Sequence, residues 1–586
     1  MIKIPNESKR VVQTNRSDIL GNLWSTYNLD LTENLGAIRV SPRMKLNTGS
    51  LNGCPWGFRF FDTKIWAGAG TLIYSNSGVP NGTFVADAST GFQSDFSSDE
   101  SDMETFNGTL CATTTDGLYS KASNGSGTGA WTQKDILATG GQHVLCYFKK
   151  FDLLYYSNAA DNIISIDTSW ATSDPGSSYA ISLSNDSGAY TITSMKATST
   201  SIFIGILDKT KEGAVGKIVE WDGLSSQIER EYPLQAQGCL SILIDKERDT
   251  PFAMDSNGIL LKFNGTGFSE VGRLPITLKL LQSMNDVDNE RFIHPNGLQF
   301  SREGTILAHV NNINADTTYN ENFQSGVYEF IPQSDGTYSC HHKESPSYTA
   351  ISTVTDFGQT QVSRVGAIAP VNTYSSSSDR NGTHFIGATY FTNATSTASA
   401  IFYDDSRDTL QKAGYFVTTK IYSDQLTDVW QKVFPRFKRL LDSADRIVVK
   451  YRKVEETPVI ATITWQNTTL FSTTDSSLVE GDEVEVLRGL GSGLCAHVTA
   501  IEQNGSTYFI TIDETATGVI VGDTATARFQ NWTKAGEVAQ QVEEFEEYAI
   551  AGDPSVWIQF KVWMLFKGKD EFIDLSVAHI NHKTIQ

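Results

Sequence analysis

The chain has 586 residues, 39% hydrophobic and 11% aromatic, which excludes a disordered polypeptide and, at this length, a single small domain. Its 67 Asp and Glu against 46 Lys and Arg give a formal net charge of −21, which argues against a general nucleic-acid binder, since phosphate contacts need clustered cations. No run approaches the roughly 18 apolar residues of a membrane-crossing helix, and MIKIPNESKR lacks the apolar core of a secretory signal.

Leu23 to Leu31 alternates apolar and polar residues, and Ala37-Ile38-Arg39-Val40 follows after Asn34-Leu35-Gly36. Both read as strands, so residues 1–50 form an N-terminal arm that could complete the last unit of a closed array. From 51 to 412 a loose unit recurs, clearest at Asp255 to Pro275. There Ile259-Leu260-Leu261-Lys262-Phe263 is entered through Asn257-Gly258 and left through Asn264-Gly265, dipeptides that tolerate the positive φ of a tight reversal. Comparable strands occur at Gly70–Asn76, Asp116–Tyr119, Asn162–Asp167, Gly216–Asp222, Gly326–Phe330 and Ser399–Asp404. Roughly seven units, spaced on the order of 40 to 70 residues, predict a β-propeller of about seven blades, with six or eight also compatible. Polar stretches at Ser97–Asp102, Asn311–Gln324 and Ser375–Gly382 read as face loops, either recognition elements or solvated spacers.

Beyond residue 412 the pattern changes. Tyr415–Tyr422, Lys432–Phe437, Arg446–Arg452, Val556–Met564 and Phe572–Ile580 read as strands of a C-terminal β-sandwich or jelly roll spanning 413–475 and 535–586. Residues 476–534 read as a small inserted β-barrel, with strands at Gly481–Leu487, Ala496–Ile501, Thr507–Ile512, Val519–Val521 and Ala525–Phe529. The expected fold is therefore all-β: a propeller, a sandwich and a barrel.

The sequence nominates no catalytic, cofactor-binding or metal-binding residue, and the expectation is a non-enzyme without cofactors. GxSxG, Walker A and HExxH motifs are absent. Gly489, Gly491 and Gly493 lack the following helix of a phosphate cradle and read as a bulge or hairpin. His341 and His342 are adjacent on a strand and point to opposite faces, and His579 with His582 is the other histidine pair. Asn285–Glu290 alternates oxygen side chains as a calcium loop would, but lacks the turn glycine and reads as a solvated acidic loop. Ser184–Tyr190 faintly resembles the Asp-box turn of sialidase-type proteins, with the aromatic one position early; a carboxylate pair for glycoside hydrolysis stays open. Cys54, Cys111, Cys146, Cys239, Cys340 and Cys495 are scattered singly and read as buried free thiols. Asn-x-Ser/Thr triplets at Asn81, Asn107, Asn264, Asn381 and Asn531 read as turn chemistry. Cations at Lys432, Arg436, Lys438, Arg439, Arg446, Lys450, Arg452 and Lys453 face an acidic group at Glu543, Glu544, Glu546 and Glu547. These pair within one sandwich or between copies, or form two solvated faces.

The layout resembles virion tail proteins of tailed bacteriophages. The resemblance is carried by ENLGAIRVSPRMKLNT (Glu33 to Thr48), FNGTGFSEVGRLP (Phe263 to Pro275), KIYSDQLTDVWQKVF (Lys420 to Phe434) and RIVVKYRK (Arg446 to Lys453). It continues in GDEVEVLRGLGSGLCAHVTAIEQNGSTYFITIDE (Gly481 to Glu514) and WIQFKVWM (Trp557 to Met564). It implies a tail nozzle or tail-hub-like structural protein that self-associates into a ring around the DNA path, assembled in the host cytoplasm and residing in the virion. It further implies docking of other tail proteins (adaptor, tube, fibres), a role in genome ejection, and contact with the host surface. DNA would pass through an acidic lumen without sequence-specific binding. A peripheral receptor- or glycan-binding tail module is the alternative expectation, and a propeller glycan hydrolase the third.

Overall fold

The computed structural model describes residues 2–3, 23–27, 29–30, 39–40, 44–76, 82–87, 101–114, 117–123, 129–137, 143–158, 161–183, 190–208, 215–275, 292–301, 304–311, 325–347, 362–370, 384–391, 397–403, 412–418, 420–422, 428–436, 446–456, 458–491, 494–516, 518–539, 548–550, 555–566 and 577–584. Among them every regular helix-or-strand element is a strand.

The described residues of 44–403 fold into seven separate sheets, mostly of four strands taken in chain order and antiparallel except where Pro346–Ser347 pairs parallel with Met44–Leu51. Short reversals produce this meander. Asp62 and Thr63 join Pro55–Phe61 to Lys64–Ala69, and Asn107 and Gly108 join Met103–Phe106 to Thr109–Thr113, both central residues lying at positive φ in each case. Each recurrent stretch of the sequence overlaps the third strand of its sheet: Leu72–Asn76, Gly117–Ala122, Asn162–Ile166, Lys217–Trp221, Ile259–Phe263, Gly326–Pro332 and Thr397–Tyr403. The last sheet is completed from the arm, because Met44–Leu51 hydrogen-bonds Thr397–Tyr403.

Hydrophobic cores lie between successive sheets. Trp56, Trp66 and Tyr119 fill one, Tyr155, Ile204 and Trp221 another, and Phe252, Tyr328 and Phe330 a third. First strands of neighbouring sheets pack on each other, and they meet at a polar hub. Asp102 Oδ1 accepts from the Met103 amide (2.8 Å) and Asn296 Nδ2 (2.9 Å), while Oδ2 accepts from the Leu145 amide (3.1 Å). Asn296 Nδ2 also donates to the Trp56 carbonyl at 3.3 Å. One carboxylate thus ties together strands of three sheets, and Asn296 brings in a fourth through Trp56; with Asp102 only 3% exposed, losing any donor would leave a buried acceptor unsatisfied.

Two further sheets and a barrel follow. The first joins Leu23–Tyr27, Lys412–Thr418, Trp557–Phe566, Arg446–Arg452 and Thr533–Ala539 in that order, with Ile421–Tyr422 also on Trp557–Phe566, six strands in all. The second runs Ile2–Lys3, Val577–Thr584, Asp428–Arg436, Tyr548–Ala549. The barrel closes in the order Val459–Trp465, Leu470–Thr473, Thr507–Ile512, Cys495–Asn504, Glu483–Gly489, Thr524–Gln530. Its interior holds Ile463, Trp465, Phe471, Val484, Val486 and Phe529.

The expected fold class, a β-propeller of about seven blades followed by a C-terminal β-sandwich or jelly roll with an inserted barrel, is corrected by this topology. Among the described residues no sheet closes into a propeller. Tight turns ladder consecutive strands into small open sheets, and among those residues closure, which requires strand tilt and a register stagger, occurs only in the six-stranded barrel. The barrel also recruits Val459–Trp465 and Leu470–Thr473, whereas Val519–Val521 is not a strand. Gly518 and Gly522, at φ +70° and +91°, bracket that segment as a turn with Ile520 and Val521 exposed.

Candidate functional site: the charged seam between barrel and sheet

A set of interlocked, buried ionisable side chains lies where the barrel wall meets the six-stranded sheet. Strand periodicity builds it from both sides. On the sheet, Val448, Lys450 and Arg452 share a face, and the register sets Trp563, Lys561 and Gln559 directly across from them. Lys450 and Lys561 are therefore cross-strand neighbours of like charge, an arrangement that repels. On the barrel, Val484 and Ala496 point inward, so Glu483, Glu485, Cys495 and His497 point outward, yet all are buried because the sheet covers them.

Glu483 resolves the repulsion. Its Oε2 accepts from Lys450 Nζ and its Oε1 from Lys561 Nζ, with all three residues at most 2% exposed. Burial alone would raise the Glu483 carboxyl; Lys450 and Lys561 overcome it and hold the group well below the usual carboxylate range. Aromatic rings complete the cage: the Lys561 ammonium lies 4.6 Å from the Tyr415 ring centroid and 5.6 Å from that of Trp532. Arg452 lies 4.4 Å over Trp532, and its Nε donates to Gln559 Oε1 at 2.9 Å. Arg528 pairs with Glu485 on the barrel wall.

A cleft of about 290 Å³, including space open to solvent, enters the seam beside Cys495, His497, Asp513, Arg446 and Trp563. Its enclosed space is only about 20 Å³, room for about one water and far below pockets that hold drug-sized ligands. The His497 amide donates to Asp513 Oδ1 at 2.7 Å, and His497 Nδ1 lies 3.4 Å from Asp513 Oδ2. Cys495, His497 and Asp513 are the residue types of a nucleophile, a base and an orienting carboxylate. Their environment opposes that chemistry. Burial pushes the Cys495 thiol up, and burial together with Lys450 lowers the His497 imidazole, so a neutral thiol faces a weakened base. Lys450, which donates to Cys495 Sγ at 3.3 Å, is already engaged by Glu483. The arrangement holds two β units together.

The residues weighed from the sequence lie elsewhere. His341 and His342 are both fully buried and diverge as strand alternation requires. His341 Nε2 is 3.4 Å from Glu329 Oε2, whereas His342 Nε2 is 3.1 Å from the Ser325 carbonyl, with burial lowering it to about 4. His579 and His582 lie on Val577–Thr584 opposite Phe434 and Trp430. Gly489 ends a barrel strand at φ +92°, and Gly491, at φ +79°, passes so close to Trp465 that a Cβ would meet the indole at 2.9 Å; Gly493 is outside the described residues. Asn285–Glu290 and Ser184–Ala189 also lie outside them, as do Asn81 and Asn381. Asn264 Oδ1 accepts from the Thr266 amide (3.0 Å), Thr266 Oγ1 (2.9 Å) and the Gly267 amide (3.0 Å), so this triplet is an Asx turn. All six cysteines are buried free thiols.

Of the cationic group, Arg446 pairs with Glu514 (3.0 Å) and Glu537 (3.3 Å), and Lys450 with Glu483. Lys438, Arg439 and Glu543–Glu547 are outside the described residues, and the side chains of Lys432 and Arg436 are not described. Sequence reading passed over Glu483, Lys561 and His497. The available signal was matching period-2 charge, Glu483-x-Glu485 against Lys450-x-Arg452, on strands otherwise apolar enough to be buried. No group of three or more His, Cys, Asp or Glu side chains among the described residues is arranged to hold a metal ion.

No protein-family model matches the chain, and no curated protein does. Among solved structures, the computationally designed Ika8 protein aligns over 62% of this chain and all of its own, at 12% identity and TM-score 0.33. Raptor from Chaetomium thermophilum aligns over 62% of this chain and 29% of its own, at 8% identity and TM-score 0.37. Likeness at this level carries no argument about the chain's fold or activity.

Proposed function

We propose that the chain is a structural component of a bacteriophage tail, a nozzle, ring or tail-tip protein that acts through protein–protein contact. In this reading copies assemble into a ring around the DNA path and dock neighbouring tail proteins or fibres. The sequence resemblance described above motivates it. The observation that carries the structural, non-catalytic part is the seam itself: Glu483, Lys450 and Lys561 are spent on fastening a barrel to a sheet. A body carrying a net charge of −21 suits a lumen that repels phosphate and lets DNA slide. Sedimentation velocity of the purified chain tests the reading. A single closed oligomer that persists on dilution supports it, and a monomer at every concentration overturns it.

A further inference from the structure

Asparagine followed by glycine is chemically labile as well as a turn former. Glycine has no Cβ to shield its amide nitrogen, which can attack the preceding side-chain carbonyl carbon. The described residues include six such pairs, at Asn52-Gly53, Asn107-Gly108, Asn257-Gly258, Asn264-Gly265, Asn296-Gly297 and Asn504-Gly505. Attack requires the asparagine side chain to swing toward the next amide, so a side chain held by hydrogen bonds resists it. Five of the six are held. Asn52 Nδ2 donates to Thr71 Oγ1, Asn107 Nδ2 to the Thr168 carbonyl (3.0 Å) and Asn257 Nδ2 to the Gln235 carbonyl (3.2 Å). Asn264 Oδ1 takes three donors in its Asx turn, and Asn296 Nδ2 is engaged by Trp56 and Asp102 in the polar hub.

Asn504 differs. It ends the barrel strand Cys495–Asn504 opposite Thr507, it is exposed, and its side chain makes no hydrogen bond among the described residues. Gly505 and Ser506 make the reversal, with Gly505 at φ +64° and open space where a Cβ would stand. The Gly505 amide donates to no backbone carbonyl among the described residues, whereas the Gly258 amide donates to the Asp255 carbonyl at 3.1 Å.

We propose that Asn504 is a site of spontaneous covalent modification in the native chain. The Gly505 amide nitrogen bonds to Asn504 Cγ and gives up its proton, the Cγ–Nδ2 bond breaks, and ammonia departs, closing a succinimide ring. A water molecule then opens the ring at either carbonyl to give aspartate or isoaspartate; nothing is oxidised or reduced. Both products place a new carboxylate on a tip where Glu502 is already exposed. Isoaspartate also routes the main chain through the side-chain carbon, which breaks the Asn504–Thr507 pair while Gln503 stays opposite Tyr508. Copies of different age therefore present different hairpin tips.

Peptide mass mapping of the full chain tests this, with one sample held folded at pH 8 and a second held at the same pH in urea. In the folded sample Asn504 converts on the order of tenfold faster than each of the other five, because their hydrogen bonds must break first. In urea the six rates converge. Conversion of Asn504 no faster than the others in the folded chain overturns the proposal. So does a lead that persists unchanged in urea, since neighbouring sequence would then set it. Asn504→Gln, whose longer side chain closes the corresponding ring far more slowly, is expected to suppress the acidic form that accumulates on isoelectric focusing; an undiminished acidic form places the reaction elsewhere and also overturns it.

Discussion

Glu483→Gln is the most informative single substitution. Lys450 and Lys561 sit directly across from each other at 2% exposure, and one carboxylate oxygen serves each. At an effective dielectric of about 20, each contact at about 4 Å or less is worth about 4 kcal/mol or more of attraction, which offsets the cost of burying the ammonium groups. The amide keeps the shape but removes the charge and one acceptor, leaving two buried cations facing each other. Breaking a buried pair from one side costs about 3–5 kcal/mol, and with two lysines stranded the expected loss is near the upper end. Replacing Lys450 alone with Met leaves Glu483 its second partner and costs less. Exchanging all three for apolar residues (Lys450→Met, Glu483→Leu, Lys561→Met) recovers most of the loss, since the desolvation penalty disappears with the charges. Urea unfolding followed by fluorescence of Trp532 and Trp563, which lie against the lysines, is the assay. A Glu483→Gln variant within 1 kcal/mol of the parent would refute the reasoning, as would a triple variant weaker than the single one. The acid response has a defined sign. Because the folded-state pKa of Glu483 is depressed, its contribution is present above the ordinary glutamate range and is lost as pH falls through the folded value.

Other expectations follow from single groups. Burial raises Asp255 to about 6, and both the Asn257 and Ile259 amides donate to its Oδ1. Its folded pKa lies above the unfolded one, so stability falls as pH rises from about 4 to 6, by roughly 3 kcal/mol. Asp255→Asn keeps the acceptor and should be the more stable form at pH 7 but equal at pH 4; parallel pH profiles would contradict this. Lys121, fully buried, pairs with Asp87 at 3.0 Å beneath Trp66 and Trp131. Lys121→Met should cost about 3 kcal/mol in a denaturant titration, and a neutral result would mean the pair is dispensable. Burial pushes the Cys54 thiol up to about 11 and those of Cys111 and Cys146 up to about 12. Iodoacetamide at pH 8 should leave all six cysteines unmodified in the native protein and alkylate all six in urea, read by mass; a native adduct at Cys495 would reopen the cleft to nucleophilic chemistry.

Local structure was the legible part. Ile259–Phe263 and Arg446–Arg452 could be delimited from alternation and flanking turn residues, because strand period and Asn-Gly reversals are properties of a few consecutive residues. Sheet membership was less so. Val459–Trp465 reads as a strand anywhere, and only its pairing with Thr524–Gln530, about 65 residues later, makes it a barrel wall. The same locality hid whether sheets close, since open and closed sheets share one alternation. Asp102, in a stretch read as a polar loop, is a buried hub because its donors at Leu145 and Asn296 are remote in sequence. The seam was missed for a related reason. A lysine on a half-polar strand looks solvated until the facing carboxylate is known, and Glu483 lies 33 residues from Lys450.

Electron microscopy of the purified chain tests the central claim most directly. A structural tail component predicts rings of uniform size, or tail-like stacks of them, with an open lumen wide enough for duplex DNA. Dispersed monomers that bind glycans would contradict it.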